Sequence, residues 1–376
     1  MAIPFINLNA QYTDHQSAID SAILKVLAHG QYIMGPEVRE LESMLADYVG
    51  VKHALACSSG TDALILPLMT KALRKSDAIF TTPFTFFASA ESISLAGATP
   101  VFVDIEPDTY NIDPVALEAK IQEVVADGKL TPRGIMPVDL FGLSADYESI
   151  SAIAEKHKLF VLEDAAQSFG APYKDGKAGG FGDAAGTSFY PAKPLGCYGD
   201  GGAVFTNDTA MHEEMVSLRV HGQAQSGNKY DNVRIGINGR MDTIQAAILL
   251  EKLKFYDQEL AERNRVAQQY SSLLAKSIKT PTVPMGQGSV WAQYSIQVND
   301  RAKLQADLGD KGIPTAVFYP IPIHLSTAYK HLGHKVGDFP ISETVSKKIV
   351  SLPMHPYMDQ STIQTICDAV NESVEA

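Results

Sequence analysis

Ser188-Phe189-Tyr190-Pro191-Ala192-Lys193-Pro194-Leu195-Gly196-Cys197-Tyr198-Gly199-Asp200-Gly201-Gly202 places one lysine inside a loop of glycines, prolines and aromatic rings. A solvated ammonium has little reason to stand there. Low-dielectric walls disfavour the charged form of an amine, so Lys193 can be neutral near pH 7 and attack a carbonyl to form a Schiff base. A single lysine is more often a surface residue, because lysine is seldom buried. The stretch takes its meaning from what surrounds it, beginning with two apolar runs, Ala184 to Ser188 and Gly202 to Thr206, that predict strands on either side.

Outward from that loop the same texture repeats. Apolar runs at His53 to Cys57, Ala78 to Thr81, Thr99 to Val103, Gly134 to Val138 and Leu159 to Glu163 alternate with helical stretches. This alternation predicts an α/β fold, with a mostly parallel sheet covered by helices on both faces. Ligands of such sheets sit outside the carboxyl ends of the strands. From Met241 the spacing changes, and Ile244, Ala247, Ile248, Leu250 and Leu253 recur at helical intervals in a pattern that runs to Ala275 as one long helix or two with a bend. Strand-like Ser289 to Val298, a helix near Arg301 to Leu308 and a terminal helix from Asp359 follow. The expected division is a large domain over residues 12–250 and a smaller C-terminal α/β domain over residues 251–376, which residues 1–11 can join.

Bulk composition narrows the function. With 376 residues, 45% hydrophobic and 20% charged, the chain has the make-up of a soluble globular protein. A net charge of -12 argues against a nucleic-acid partner, whose footprint is a basic patch or stripe. Cys57, Cys197 and Cys367 lack the paired spacing of a metal site or a disulfide framework, which fits a reducing compartment. The first residues show no basic segment followed by an apolar core, and no apolar run approaches the roughly 18 residues of a membrane span. A cytoplasmic protein without a membrane partner is expected.

Three elements point to one cofactor. In Ala56-Cys57-Ser58-Ser59-Gly60-Thr61-Asp62-Ala63-Leu64 a strand leads through a small-residue turn into an apolar helix, whose free amides and the hydroxyls of Ser59 and Thr61 can converge on a phosphate. In Val161-Leu162-Glu163-Asp164-Ala165-Ala166-Gln167, Asp164 ends an apolar strand, where a carboxylate needs a cationic partner such as a pyridinium nitrogen. Each alone is also the pattern of a simple helix cap. Together with Lys193 they supply the three attachments of pyridoxal 5′-phosphate: its phosphate, its ring nitrogen and its aldehyde. Phe84-Thr85-Phe86-Phe87 can offer the ring a flat neighbour.

These residues resemble a known family, the fold-type-I, pyridoxal-phosphate-dependent aminotransferases of nucleotide-linked keto-sugars, or DegT family. The resemblance spans nearly the whole chain and rests on Gly60-Thr61-Asp62-Ala63-Leu64, Pro83-Phe84-Thr85-Phe86, Glu163-Asp164-Ala165-Ala166-Gln167, Ser188 to Lys193, Gly199-Asp200-Gly201-Gly202 and Asn238-Gly239-Arg240-Met241-Asp242. It implies that Lys193 forms the Schiff base, Asp164 pairs with the pyridinium and Gln167 lies near the ring hydroxyl. Ser188, Gly60 and Thr61 would hold the phosphate, with Asp62 beside them in the cofactor site, and Phe86 would stack on the ring. Asn238 occupies the position of an asparagine that the family supplies from a partner subunit, which implies a homodimer with shared active sites. Pyridoxamine 5′-phosphate would be the form between the two half-reactions.

For substrates, the Pro194 to Gly202 run and Tyr319-Pro320-Ile321-Pro322 resemble enzymes that transfer the amino group of L-glutamate to carbon 3 of a UDP-linked 2-acetamido-3-oxo-hexuronic acid, for bacterial surface polysaccharides. Phe318 departs from relatives with a histidine at that position. Arg240 is a candidate carboxylate ligand, or else an intersubunit ion-pair residue. Tyr319 and His324 are candidates for sugar or diphosphate contact, with a structural role for His324 equally open. Amination at carbon 4 of another nucleotide sugar, or a cofactor-binding regulator without turnover, are the alternatives. A nicotinamide-dependent dehydrogenase would need a Gly-x-Gly-x-x-Gly turn where this chain has Ser58-Ser59-Gly60-Thr61.

Overall fold

In the computed structural model the described residues are 3–224 and 230–375; residues 1, 2 and 376, at the ends of the expected domain ranges, lie outside them. The predicted runs form β1 (His53–Cys57), β2 (Asp77–Thr81), β3 (Thr99–Phe102) and β5 (Phe160–Asp164), while the strand expected over Gly134 to Val138 lies three residues earlier as β4 (Thr131–Ile135), in register with β2 and β3. A short hairpin, β6 (Pro172–Tyr173) and β7 (Gly176–Lys177), precedes β8 (Ala184–Ser188) and β9 (Gly202–Thr206). In the last third β10 (Tyr294–Gln297) pairs antiparallel with β11 (Ile349–Leu352). The main sheet has seven strands in the order β1-β9-β8-β5-β4-β2-β3. Its pairs from β3 to β8 are parallel, and β9 alone runs against its two neighbours, β8 and β1.

The helices in chain order are α1 (Leu8–His29), α2 (Pro36–Val49), α3 (Gly60–Met69), α4 (Phe87–Leu95), α5 (Pro114–Asp127) and α6 (Tyr147–His157), then α7 (Thr209–Leu218), α8 (Thr243–Leu253), α9 (Tyr256–Leu273), α10 (Arg301–Asp310), α11 (Pro340–Lys348) and α12 (Gln360–Glu375). Side chains alternate across a strand, and β9 uses both faces. Ala203 and Phe205 pack with Leu45 of α2 and Leu249 of α8, whereas Val204 packs with Leu64 of α3 and Met215 of α7. Burial on both sides explains why β2 and β9 are apolar without alternation.

The backbone decides one expectation and adjusts another. The helical pattern over Met241 to Ala275 is two helices, interrupted at Lys254 and Phe255. The strand expected over Ser289 to Val298 shortens to Tyr294–Gln297, because Trp291 adopts a φ of 51° that turns the chain before it can extend. The change of core comes along α9: Tyr256 belongs with the large sheet, but Val266, Ala267 and Tyr270 belong to a core with β10, β11 and α12. Ile3 packs on that C-terminal core, and the Phe5 carbonyl accepts from the Met354 amide at 3.1 Å. The boundary expected at 250/251 thus falls inside α8, whose Leu253 stays with the large core.

The entry to α3 lies directly on the start of β9. A Cβ on Gly202 would stand 2.3 Å from the Ser59 carbonyl oxygen and 2.8 Å from that of Thr187, both backbone atoms held by the sheet and the helix. Gly202→Ala is therefore expected to cost about 3 kcal/mol through overpacking. Gly309→Ala, in α10 where a Cβ meets nothing within 4 Å, should instead add roughly 0.5 kcal/mol by removing backbone freedom from the unfolded chain. Urea midpoints of the two variants check both signs.

Candidate active site

The carboxyl ends of β5 and β8, the turn into α3 and the segment after β2 open onto one cavity of about 620 Å³. Gly60, Thr61, Phe86, Asp164, Gln167, Ser188, Lys193 and Tyr319 all line it. Nothing close in sequence brings these groups together; the parallel strand order does.

Its first corner is an anion seat. Ser59 caps α3 in extended geometry, and its Oγ accepts from the Asp62 amide at 3.1 Å. The amides of Gly60 and Thr61, in the first helical turn, are left with no intrahelical acceptor. A Cβ on Gly60 would lie 2.6 Å from Ser188 Cβ and 2.9 Å from its Oγ, so only glycine lets that hydroxyl approach the helix start. Asp62, expected in the cofactor site, is not among the residues lining the cavity: its carboxylate accepts from Ser58 Oγ and braces the turn from behind.

Opposite stands the carboxylate. Asp164 is 4% exposed; its Oδ2 accepts from Ser89 Oγ at 2.7 Å and its Oδ1 from the Ala166 amide at 3.2 Å. Burial raises its pKa, while these donors and the Lys193 charge act against the rise. Ser89 is a site residue that the sequence reading missed, since a serine within α4 carries no motif. Gln167 accepts from the Phe141 amide at 2.8 Å and donates to the Tyr319 hydroxyl at 3.1 Å, which ties the segment after β5 to the one after α10. Tyr319 lies 6.2 Å, ring to ring, from the largely exposed Phe86. Burial pushes the Tyr319 hydroxyl well above its usual range, with Gln167 opposing.

Lys193 faces Asp164 from the loop between β8 and β9, where its amide donates to the Tyr190 carbonyl at 2.8 Å. Burial lowers its amine to about 8, and the Asp164 charge opposes that shift. Behind the site Glu163, alternating to the other face of β5, accepts from the Gly179 and Phe181 amides at 2.7 and 2.8 Å. Burial beside Asp139 drives its pKa well above the carboxylate range. Asp139 is itself raised to about 6 by burial, although the Ala145 amide and the Tyr147 and Ser168 hydroxyls all donate to it.

Besides Asp62, three expected site residues stand elsewhere. Asn238 and Arg240 line a neighbouring depression of about 460 Å³ that shares Ser59 and Asp200 with the main cavity. The Ser58 amide fixes them there by donating to the Gly239 carbonyl at 3.0 Å, and the buried Nε of Arg240 has no partner among the described residues. His324 is 1% exposed and does not line the cavity; its Nε2 is 3.2 Å from Glu343 Oε1 and its ring 4.6 Å from that of Phe339. A short 3-10 turn carries it away from Tyr319 into that packing. Phe318 does line the cavity, with its ring 6.4 Å from Phe5.

These groups fit pyridoxal 5′-phosphate by their own chemistry: a glycine cradle beside free helical amides for a dianion, a buried carboxylate for a ring cation, and a desolvated amine for an aldehyde. The lowered amine gives a pH test on cofactor-free protein. Reductive alkylation of Lys193 by a small aldehyde, read by peptide mass spectrometry, should rise with a midpoint near pH 8. Asp164→Asn removes the charge that holds the proton on, so the midpoint should move to lower pH; a midpoint in the ordinary lysine range would count against the burial argument.

Comparison with known proteins agrees with this geometry. The chain is 45% identical over 371 residues to the UDP-2-acetamido-2-deoxy-3-oxo-D-glucuronate aminotransferase of Pseudomonas aeruginosa, covering 98% of this chain and 99% of that one. It superposes on the crystal structure of a DegT DnrJ EryC1 StrS aminotransferase from Brucella abortus with a TM-score of 0.96, 48% identity and 100% of both chains covered. On ntda from Bacillus subtilis, solved with bound cofactor pmp, the TM-score is 0.91 at 28% identity, over 100% of this chain and 86% of that one. The model of the DegT/DnrJ/EryC1/StrS aminotransferase family matches residues 13–371, and the chain belongs to that family.

Proposed function

We propose that this protein is a pyridoxal-phosphate-dependent transaminase that moves the amino group of L-glutamate onto a UDP-linked keto-sugar. The observation that carries the reading is the meeting of Lys193, Asp164 and the Gly60-Thr61 turn in one cavity. The bound cofactor supplies an aldehyde that exchanges amines and a conjugated ring that accepts the electron pair of a breaking C–H bond. Thr61, the α3 amides and Ser188 Oγ hold its phosphate. Asp164, kept as an acceptor by Ser89 and the Ala166 amide, retains a proton on the ring nitrogen. Lys193 Nζ, neutral for part of the time near pH 7 because burial lowers it to about 8, takes the proton from the donor's α-carbon and later gives it up. Gln167 and Tyr319, joined by their hydrogen bond, and Phe86 line the cavity where they would hold and orient the ring.

The 45% relationship to an enzyme named for a 3-oxo-glucuronate sugar supports carbon 3 of UDP-2-acetamido-2-deoxy-3-oxo-glucuronic acid as the acceptor; the role we propose for the product is in bacterial surface polysaccharide such as lipopolysaccharide O-antigen. Arg240, whose buried Nε has no partner among the described residues, is the carboxylate ligand in this reading. Asn238 and Arg240 stand outside their own chain's cavity, and Ile33 and Ile235 near them are 50% and 88% exposed. That placement supports a homodimer that covers these apolar side chains and shares its sites. The three buried, unpaired cysteines fit the reducing cytoplasm.

Purified protein should be yellow with bound cofactor, lose the colour on adding glutamate and release 2-oxoglutarate. Lys193→Ala should lower turnover by at least about 1,000-fold, the scale of losing a positioned acid-base group. Mass spectrometry of products from UDP- and dTDP-linked keto-sugars should find amination at carbon 3 of the uronate. A 4-amino product would move the acceptor assignment, and a protein that never responds to glutamate would leave a regulator without turnover.

A further inference from the structure

One buried cation has no part in that chemistry. Lys252, in the last turn of α8, is 1% exposed, and its Nζ donates to the carbonyl of Gly196 at 2.7 Å rather than to a carboxylate. The same ammonium stands 4.2 Å from the centre of the Tyr198 ring. Burying an ammonium is costly unless its hydrogen-bonding capacity is met. A methionine would fill the same space without that cost, so packing alone does not account for a lysine here.

The group it holds is the loop that carries Lys193. The loop closes at its neck, where the Cys197 amide donates to the Phe189 carbonyl at 2.8 Å. Gly196 presses against the turn itself: a Cβ there would lie 2.6 Å from the Pro191 carbonyl oxygen and 2.8 Å from that of Tyr190. Tyr190 is also the residue whose carbonyl accepts the Lys193 amide. Seven residues before Lys252, two helical turns back and on the same face of α8, Gln245 Oε1 accepts from the Tyr198 amide at 2.8 Å. The helix therefore grips the returning limb of the loop twice, once by a carbonyl and once by an amide.

We infer that Lys252 is a positioning residue: with Gln245 it clamps the Gly196 to Tyr198 limb onto α8 and so fixes where the Lys193 amine stands relative to Asp164. The inference rests on the reading of Lys193 as the lysine that engages the cofactor. A reacting amine must be held to well within an ångström, and a loop has no such precision unless a rigid element supports it. Here α8 is that element, packed on α1 and α2 along the rest of its length.

Lys252→Met preserves length and bulk and removes the ammonium, with both its hydrogen bond to Gly196 and its contact with the Tyr198 ring. In cofactor-loaded protein kcat per bound cofactor should fall about tenfold, with the KM for glutamate changed less than about twofold, the pattern of a lost positioning contact. In cofactor-free protein, amide exchange at residues 193–198 should quicken by about tenfold, while that of α3 and β9 stays as it was. Gln245→Leu should reproduce both effects, and the double variant should lose less than the product of the two. If Lys252→Met does not fold, Gln245→Leu carries the same readouts. Unchanged kcat per bound cofactor overturns the inference, whether or not thermal stability drops, and so does unchanged exchange in the loop. Failure of the functional reading would be seen separately, as wild-type protein whose colour does not respond to glutamate.

Discussion

Desolvation and the charge of Asp164 act on the amine of Lys193 in opposite directions, and the site depends on neither winning outright. Burial alone would lower the amine further, which favours a base and disfavours an acid. The carboxylate restores part of the proton affinity, which leaves the group near 8, where it can both take and give a proton in neutral solution. Asp164 is under the same strain in reverse. Its own burial favours the neutral acid, and it serves as a carboxylate because Ser89 and the Ala166 amide donate to it and a cation faces it.

The sheet makes that balance reproducible. β5 and β8 are adjacent and parallel, with Asp164 in register with Gly186 and Ser188 two residues further on, so carboxylate and hydroxyl leave the same edge. β9 returns antiparallel to β8, and the chain between them has to form a closed loop above that edge with Lys193 in it. α3 then enters across both strands. A Cβ on Gly186 would lie 2.8 Å from the Ala63 carbonyl oxygen, and one on Gly202 still nearer to that of Ser59. Glycine at both positions, with Gly60 above Ser188, brings the helix start down to the level of the carboxylate and amine. The buried Glu163 and Asp139 behind β5 satisfy the amides of the next layer and keep the end of that strand from moving.

Much of this was legible in the chain. Seven strands of the main sheet follow from apolar runs between turns, and the anion seat, Asp164 and Lys193 each sit at a strand end that local pattern locates. What escaped depends on tertiary contact. Ser89 is an ordinary helical serine until α4, packed on α3, β2 and β3, brings its hydroxyl to Asp164 at the end of β5. Asp62 shares a motif with Gly60 and Thr61, yet its side chain leaves the turn on the far side, toward Ser58. His324 is five residues from Tyr319 and belongs to a different environment, because the 3-10 turn that contains it, Ile323–Leu325, delivers it to Glu343. Lys252 and Gln245 lie within a helical pattern whose polar members look like a solvated face, and only the fold shows that face turned toward the Lys193 loop.

The most direct test of the account is borohydride reduction of cofactor-loaded protein followed by peptide mapping. Among the described residues two lysines, Lys193 and Lys252, have amines lowered to about 8 by burial, so a low pKa does not by itself select the reactive one; the geometry assigns that role to Lys193, which faces the cavity, and a clamping role to Lys252, which is sealed behind the loop. The account predicts the cofactor's mass on the Lys193 peptide alone. Label on Lys252, or spread over surface lysines, would contradict it.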